Sequence, residues 1–275
     1  MNDPADEALA YVRQRVAGGP MHASLRVTIN FHPDILTKGA AAIDLIAQQK
    51  IYRSQFETGT SNGGLTAHVG GDRWIWESRM FGKAYDDAPL EQRPKYGALN
   101  HRLDPVGGSR RFGSCHLRLV PQILGRTTFC YPDSYLQPLD FGVAESGALI
   151  PLVKENRFGL DPQLDNYIEA HIHGPLDLRR DVEAVVLDPS YRSTPVEESA
   201  ALLGCPVEWH DGFKLRLEML PECESFRGTV TADAIAKIAI GGDVTPLVLG
   251  QARTHSLDYQ TAKWVWHCMA KFGHI

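Results

Sequence analysis

An α+β fold with a helical C-terminal extension is predicted from two observations. Short runs that alternate apolar and polar residues recur between Ser24 and His210, with helically spaced runs flanking them. Beyond residue 215 the spacing is mostly helical. The expected division is a core of residues 1–215, N-terminal helix included, with residues 216–275 packed on it as a largely helical extension. A hydrophobic content of 43% against 22% charged residues, in 275 residues, is enough for a real core.

In chain order, Leu9, Tyr11, Val12 and Val16 give residues 3–17 helical spacing, ended by Gly18-Gly19-Pro20. Ser24 to Asn30 reads as a strand, and His32-Pro33-Asp34 ends it, leaving His32 just past a rigid element. A helix is expected over 35–50. Residues 52–66 follow, dense in glycine and hydroxyl groups, with a hairpin turn at Asn62-Gly63. This run lacks both the Walker lysine and the G-x-G-x-x-G spacing, so a P-loop or Rossmann site is excluded. Trp74, Trp76 and Phe81 mark a strand or short helix. Strands are predicted over 93–100, 112–119 and 126–131, then a helix and loop within 138–160. Val182 to Leu187 and Val207 to His210 read as strands, with a helix over 195–203 between them. Ala234–Ile240 and Tyr259–Phe272 carry apolar stripes of helical spacing.

Tyr167 to Gly174 is the stretch around which the rest is organised. Ile168, Ala170 and Ile172 share one strand face, so Tyr167, Glu169, His171 and His173 share the other. Gly174-Pro175 stops the strand. Alternation alone leaves open whether the polar face is solvated, holds an acid/base group with helpers, or offers an H-x-H metal half-site.

A net charge of −5 without a polybasic block gives no footprint for nucleic acid or an anionic membrane. The five cysteines are scattered and odd in number, matching neither a disulfide framework nor a C-x-x-C pair. The N-terminus has no basic and apolar leader pattern, and no apolar run reaches the ~18 residues of a membrane span. A cytoplasmic protein is expected, or one exported as an effector without a classical signal peptide.

NFHPD at 30–34, SQFETGTSNGGLT at 54–66, YGALN at 96–100, FGSCHLRL at 112–119, TTFCYPDS at 127–134 and YIEAHIHG at 167–174 together resemble a bacterial family of unknown function. The resemblance covers roughly residues 20–215. The layout is in turn similar to the ADP-ribosyltransferase superfamily, with its split β-sheet core. That likeness implies a bacterial, NAD-consuming enzyme, a transferase or glycohydrolase, of toxin or effector type. Its partners would be NAD as substrate, an ADP-ribose acceptor and an immunity or target protein. It implies Glu169 as the catalytic residue and His32 or Arg53 as the group holding the ribose. Thr58, Gly59, Thr60 and Ser61 take the second-strand role, with Gln55, Tyr96 and Ser134 completing the dinucleotide site. No Glu-x-Glu pair surrounds Glu169, which leaves the acceptor open.

Breaking the nicotinamide–ribose bond releases a neutral pyridine, so no general acid is needed. The transition state is oxocarbenium-like, and one fixed carboxylate in a water-poor site can stabilise its charge. Tyr96, Phe129 or Tyr131 could stack on the nicotinamide. Two other classes compete. A metal-dependent hydrolase would use His171 and His173 with His32, His68, His101 or His116. A non-enzymatic binding or immunity module would use the glycine-rich surface. The missing third and fourth ligands argue that no metal is needed.

Overall fold

The computed structural model describes residues 3–37, 39–59 and 66–274. The chain is α+β, built on a large mixed sheet with helices on both faces. Its strands are β1 (Val27–Phe31), β2 (Lys95–Leu99), β3 (Cys115–Leu119), β4 (Thr127–Tyr131), β5 (Asp140–Val143), β6 (Ile168–Ile172), β7 (Val182–Leu187) and β8 (Val207–Trp209). They form one eight-stranded sheet in the order β8-β7-β3-β1-β2-β6-β4-β5. Only β7 and β8 run parallel; the other pairings are antiparallel. The expected split into two sheets is not found, because hydrogen bonding continues across every neighbouring pair.

The helices are α1 (Pro4–Arg13), α2 (Ala42–Gln49), α3 (Gln55–Thr58), α4 (Asp72–Met80), α5 (Leu149–Glu155), α6 (Leu178–Asp181), α7 (Pro195–Ala201), α8 (Leu220–Arg227), α9 (Thr229–Ile238), α10 (Pro246–His255) and α11 (Tyr259–Phe272). Two regions differ from expectation. The helix expected from residue 35 begins only at Ala42, after Leu36–Thr37 and Ala40–Ala41 pair as a tiny hairpin. Gly39 turns that hairpin at φ +83°, a conformation no helix residue adopts. The helix expected first in 138–160 is preceded by β5, because Asp140 to Val143 pair with β4 and form the edge of the sheet. Tertiary pairing there outweighs local spacing.

Alternation sorts the sheet into two faces. Val27, Ile29, Phe31, Leu99, Phe129, Tyr131, Ile168, Ala170 and Ile172 enter the main core with Ile43 and Ala47 of α2, Leu149 and Val153 of α5, and Val196 and Ala200 of α7. Ala8 and Val12 of α1 and Trp76 and Met80 of α4, with Phe81 and Tyr85, gather around Cys130 and Val143 on the opposite face. The polar face of β6 is therefore covered: His171 and His173 are fully buried and Glu169 is 7% exposed. The C-terminal helices close a third apolar cluster around Phe213, Leu215, Val265, Trp266 and Met269 that also takes in Val106 and Leu164. Among the described residues no helix is long and apolar enough to cross a membrane.

Candidate functional site

The register across β2, β6 and β4 assembles the site. Tyr96 and Thr128 flank His171, while Ala98 and Cys130 flank Glu169. Period-two geometry then puts Tyr96, Thr128, Cys130, Glu169 and His171 on one face. Helix α4 lies over them and presents Arg73, Trp76, Glu77 and Met80 as its buried stripe.

A chain of hydrogen bonds runs beneath the helix to Glu169. Tyr85 Oη lies 2.7 Å from His173 Nδ1, and His173 Nε2 lies 3.0 Å from Thr128 Oγ1. Thr128 Oγ1 is also 3.1 Å from His171 Nδ1, and His171 Nε2 is 3.0 Å from Glu169 Oε1. With both imidazoles neutral, one assignment satisfies every contact: each group donates to the next, from the Tyr85 hydroxyl through to the carboxylate. Burial keeps the Tyr85 hydroxyl protonated. Burial, with neighbouring positive charge, holds His173 well below its usual value and so neutral. Aromatic rings sheathe the chain: Tyr85 stacks on His173 at 5.9 Å, and Phe81 meets His171 and His173 edge-on. Hydrogen bonds in such an apolar sleeve are stronger than in water.

Burial would raise the Glu169 pKa. The hydrogen bond from His171, together with the Arg73 charge and the Ser134 hydrogen bond, outweighs it and holds the carboxyl below its ordinary value. Glu169 is thus an ionised carboxylate in a nearly dry place. Beside it, burial and the Glu169 charge raise the Asp133 pKa, and Tyr167 donates to Asp133 Oδ2 at 2.8 Å.

Glu169 opens onto a cavity of about 80 Å³ shared with Gln55, Arg73, Tyr96, Ser109, Asp133 and Ser134. Among the described residues, these buried polar atoms in the lining have no hydrogen-bond partner: Arg73 Nε and Nη1, Gln55 Oε1, Ser109 Oγ and Asp133 Oδ1. Leaving such groups unpaired costs about 1–3 kcal/mol each, so their convergence on one cavity marks a place prepared for a polar ligand. The Arg73 guanidinium stacks on Tyr96 at 3.9 Å. Tyr96 donates to Glu77 Oε1 at 2.8 Å, and Arg93 donates to Glu77 Oε2 at 2.7 Å.

The residues expected at the site fall into two adjoining spaces. Glu169, Gln55, Tyr96 and Ser134 line the small cavity. His32, Arg53 and Thr58, again with Gln55 and Tyr96, line a groove of about 840 Å³. Gly59 caps α3 in the left-handed region, and the Thr58 hydroxyl donates to the Ser54 and Gln55 carbonyls. Arg53 is engaged by Glu57 at 3.0 Å. His32 sits edge-on to Trp266 at 4.6 Å, its pKa well lowered by burial and by Arg253 and His267. Thr60, Ser61 and the Asn62-Gly63 turn lie outside the described residues. Phe129 and Tyr131 belong to the opposite, core face, and of the three rings Tyr96 lines the cavity at Glu169.

Sequence reasoning missed Arg73, Tyr85, Ser109, Thr128, Cys130 and Asp133. A signal existed for Arg73: positions 73, 76, 77 and 80 fall on one helical face, so an Arg and a Glu share the apolar stripe of α4. The ligand geometry for a metal also differs from the H-x-H expectation. Both His173 nitrogens are engaged by Tyr85 and Thr128, and the atoms close enough for one ion belong to Cys130, Glu169 and His171. Burial pushes the Cys130 thiol well above its usual pKa, which opposes the thiolate that metal ligation needs.

No curated protein matches the chain. The model of the family described as "Protein of unknown function (DUF3626)" matches residues 26–155 and 150–271, nearly the whole length, and the chain belongs to that family.

Proposed function

We propose that the protein cleaves the nicotinamide–ribose bond of NAD and passes ADP-ribose to an acceptor, on an ADP-ribosyltransferase-like core. One observation carries this reading: an ionised, buried carboxylate stands at the wall of a cavity whose other buried polar atoms await partners. As the C1′–N bond breaks, its electron pair leaves with nicotinamide and positive charge grows on the ribose. Glu169 then stabilises a charge absent from the ground state, and it does so from surroundings with little water to screen it. The hydrogen-bonded chain from Tyr85 fixes the carboxylate in place, so it need not reorganise during the reaction. Arg73 and Gln55 supply unpaired hydrogen-bonding groups for the substrate's polar atoms, and Tyr96 supplies a ring for nicotinamide. His32 and Arg53 border the adjoining groove, in keeping with a ligand longer than the small cavity.

The Cys130–Glu169–His171 cluster supports a second reading, metal-assisted hydrolysis, with the ion beside the same cavity. Nicotinamide release and metal content separate the two. Glu169→Gln should lower turnover ~10²–10³-fold with little change in NAD affinity, since the lost interaction matters most in the transition state. Unchanged turnover in a folded Glu169→Gln protein sinks the NAD mechanism. Stoichiometric zinc that is lost on Cys130→Ala would promote the hydrolase.

A further inference from the structure

A second cavity, of about 360 Å³, lies between the end of β1 and helices α10 and α11. Its size falls within the roughly 300–1,000 Å³ of small-molecule sites. Phe112, Leu257, Tyr259 and Trp266 give it an aromatic and apolar wall, while Arg111, Arg253 and Lys263 give it positive charge. Tyr259 is 65% exposed, so its ring is available to a ligand.

The charge is not neutralised from within. Arg111 is paired with Asp165, but Arg253 reaches Asp34 only at 3.8 Å. Lys263 has no acidic partner among the described residues. Among the described residues Asp34 is the single acid lining the cavity, and its Oδ1 is buried without a hydrogen bond, so it does not grip the guanidinium. Neighbouring groups register the excess. His267 is pushed down to about 3 by burial and by Arg111, Arg227 and Lys263. Lys263 is itself lowered by burial and by Arg111 and Arg227.

We propose that this cavity binds a nucleoside diphosphate, its phosphates on Lys263 and Arg253 and its ring against Phe112 and Tyr259. An aromatic wall with two under-used cations calls for a ligand that joins a flat apolar ring to more than one negative charge. The assignment goes beyond the proposed reaction, in a cavity that shares His32 and Tyr259 with the groove beside Glu169. If NAD is the substrate, its ADP half is the part that fits, and Phe112 lines both this cavity and the one at Glu169.

The test is calorimetric titration of the full chain with ADP, adenosine and pyrophosphate, repeated on Lys263→Glu and on Lys237→Glu, an exposed lysine outside the cavity lining, as a charge control. ADP should bind, more tightly than adenosine, with pyrophosphate competing. Lys263→Glu should weaken ADP at least tenfold while Lys237→Glu leaves it unchanged and circular dichroism stays constant. No binding of ADP, equal affinity for ADP and adenosine, or equal loss in both variants overturns the site. ADP binding that depends on Lys263 without any nicotinamide release would keep this site and sink the NAD reaction. Nicotinamide release without ADP binding would do the reverse.

Discussion

The guanidinium carbon of Arg73 lies 3.9 Å from the centroid of the Tyr96 ring, yet among the described residues Arg73 Nε and Nη1 have no hydrogen-bond partner. The side chain is 3% exposed, so these donors are kept from water as well as from protein. A group placed for the fold alone would have been paired. Arg73→Gln should therefore cost ligand affinity more than stability. A charged hydrogen bond is worth about 1.5–3 kcal/mol, or ~10–100-fold in NAD affinity. Loss of the ring contact should cost stability about 1–2 kcal/mol. Calorimetric titration beside urea denaturation checks both. A large stability loss with unchanged affinity would make Arg73 structural.

His171 sets the protonation of Glu169. A carboxylate held below 4.5 is available, and contributes stability, above that pH, and both are lost as pH falls through the folded-state value. His171→Leu removes the first of the groups that hold it down, so the folded pKa rises and the acid limb of the rate profile moves to higher pH. Thr128→Val should shift the limb in the same direction by less, because it leaves His171 in contact but without its orienting bond. Turnover should fall about 5–30-fold in Thr128→Val, the worth of one buried hydrogen bond, with KM little changed. Steady-state rates from pH 4 to 8 read the limb directly.

Much of this arrangement was legible because β6 obeys the two-residue period. Glu169 and His171 had to share a face, and a strand ended by Gly174-Pro175 had to place His173 at its edge. The period does not say what covers a face. The lid comes from α4, more than eighty residues earlier, and burial of the Arg73 and Glu77 charges depends on partners that converge only in three dimensions. Thr128 and Cys130 were hidden for the same reason: their role follows from the antiparallel register with β6, which local sequence does not encode. The split core was expected from the family likeness alone, because alternation identifies strands but not their neighbours.

Glu77 makes the fold pH-dependent in the direction opposite to Glu169. Burial raises its pKa to about 7, with Arg93, Tyr96 and Arg73 pulling the other way. The folded protein thus holds this proton more tightly than the unfolded chain, so the stability it confers is full below about 4.5 and lost as pH rises to about 7. Glu77→Gln keeps the neutral shape and cannot ionise. Wild type should lose stability relative to this variant across that window, by at most about 3 kcal/mol. Glu77→Ala should be less stable than Glu77→Gln by about 3–5 kcal/mol at both pH values, because it also strands Arg93 in the interior. Urea midpoints at pH 5 and pH 8 for the three proteins test this.

Gly250 decides how the C-terminal helices sit on the core. It lies inside α10, where alanine would favour a helix by about 1 kcal/mol. A Cβ at this position would overlap Asp34 Oδ2, and that atom cannot swing clear without giving up the bond it accepts from the Tyr191 hydroxyl at 2.9 Å. Overpacking typically costs about 1–3 kcal/mol, and the broken hydrogen bond adds to it, so the overlap outweighs the propensity. Gly250→Ala should destabilise the protein by about 1–3 kcal/mol net, and it should also shift Arg253, whose acidic contact is the same Asp34. Gln251→Ala, one residue on and exposed, should change stability by less than about 0.5 kcal/mol. Thermal unfolding of the two variants beside wild type gives the comparison. If Gly250→Ala proves more stable than wild type, Asp34 yields freely and the close seating of α10 on the end of β1 is not what the helix docking depends on.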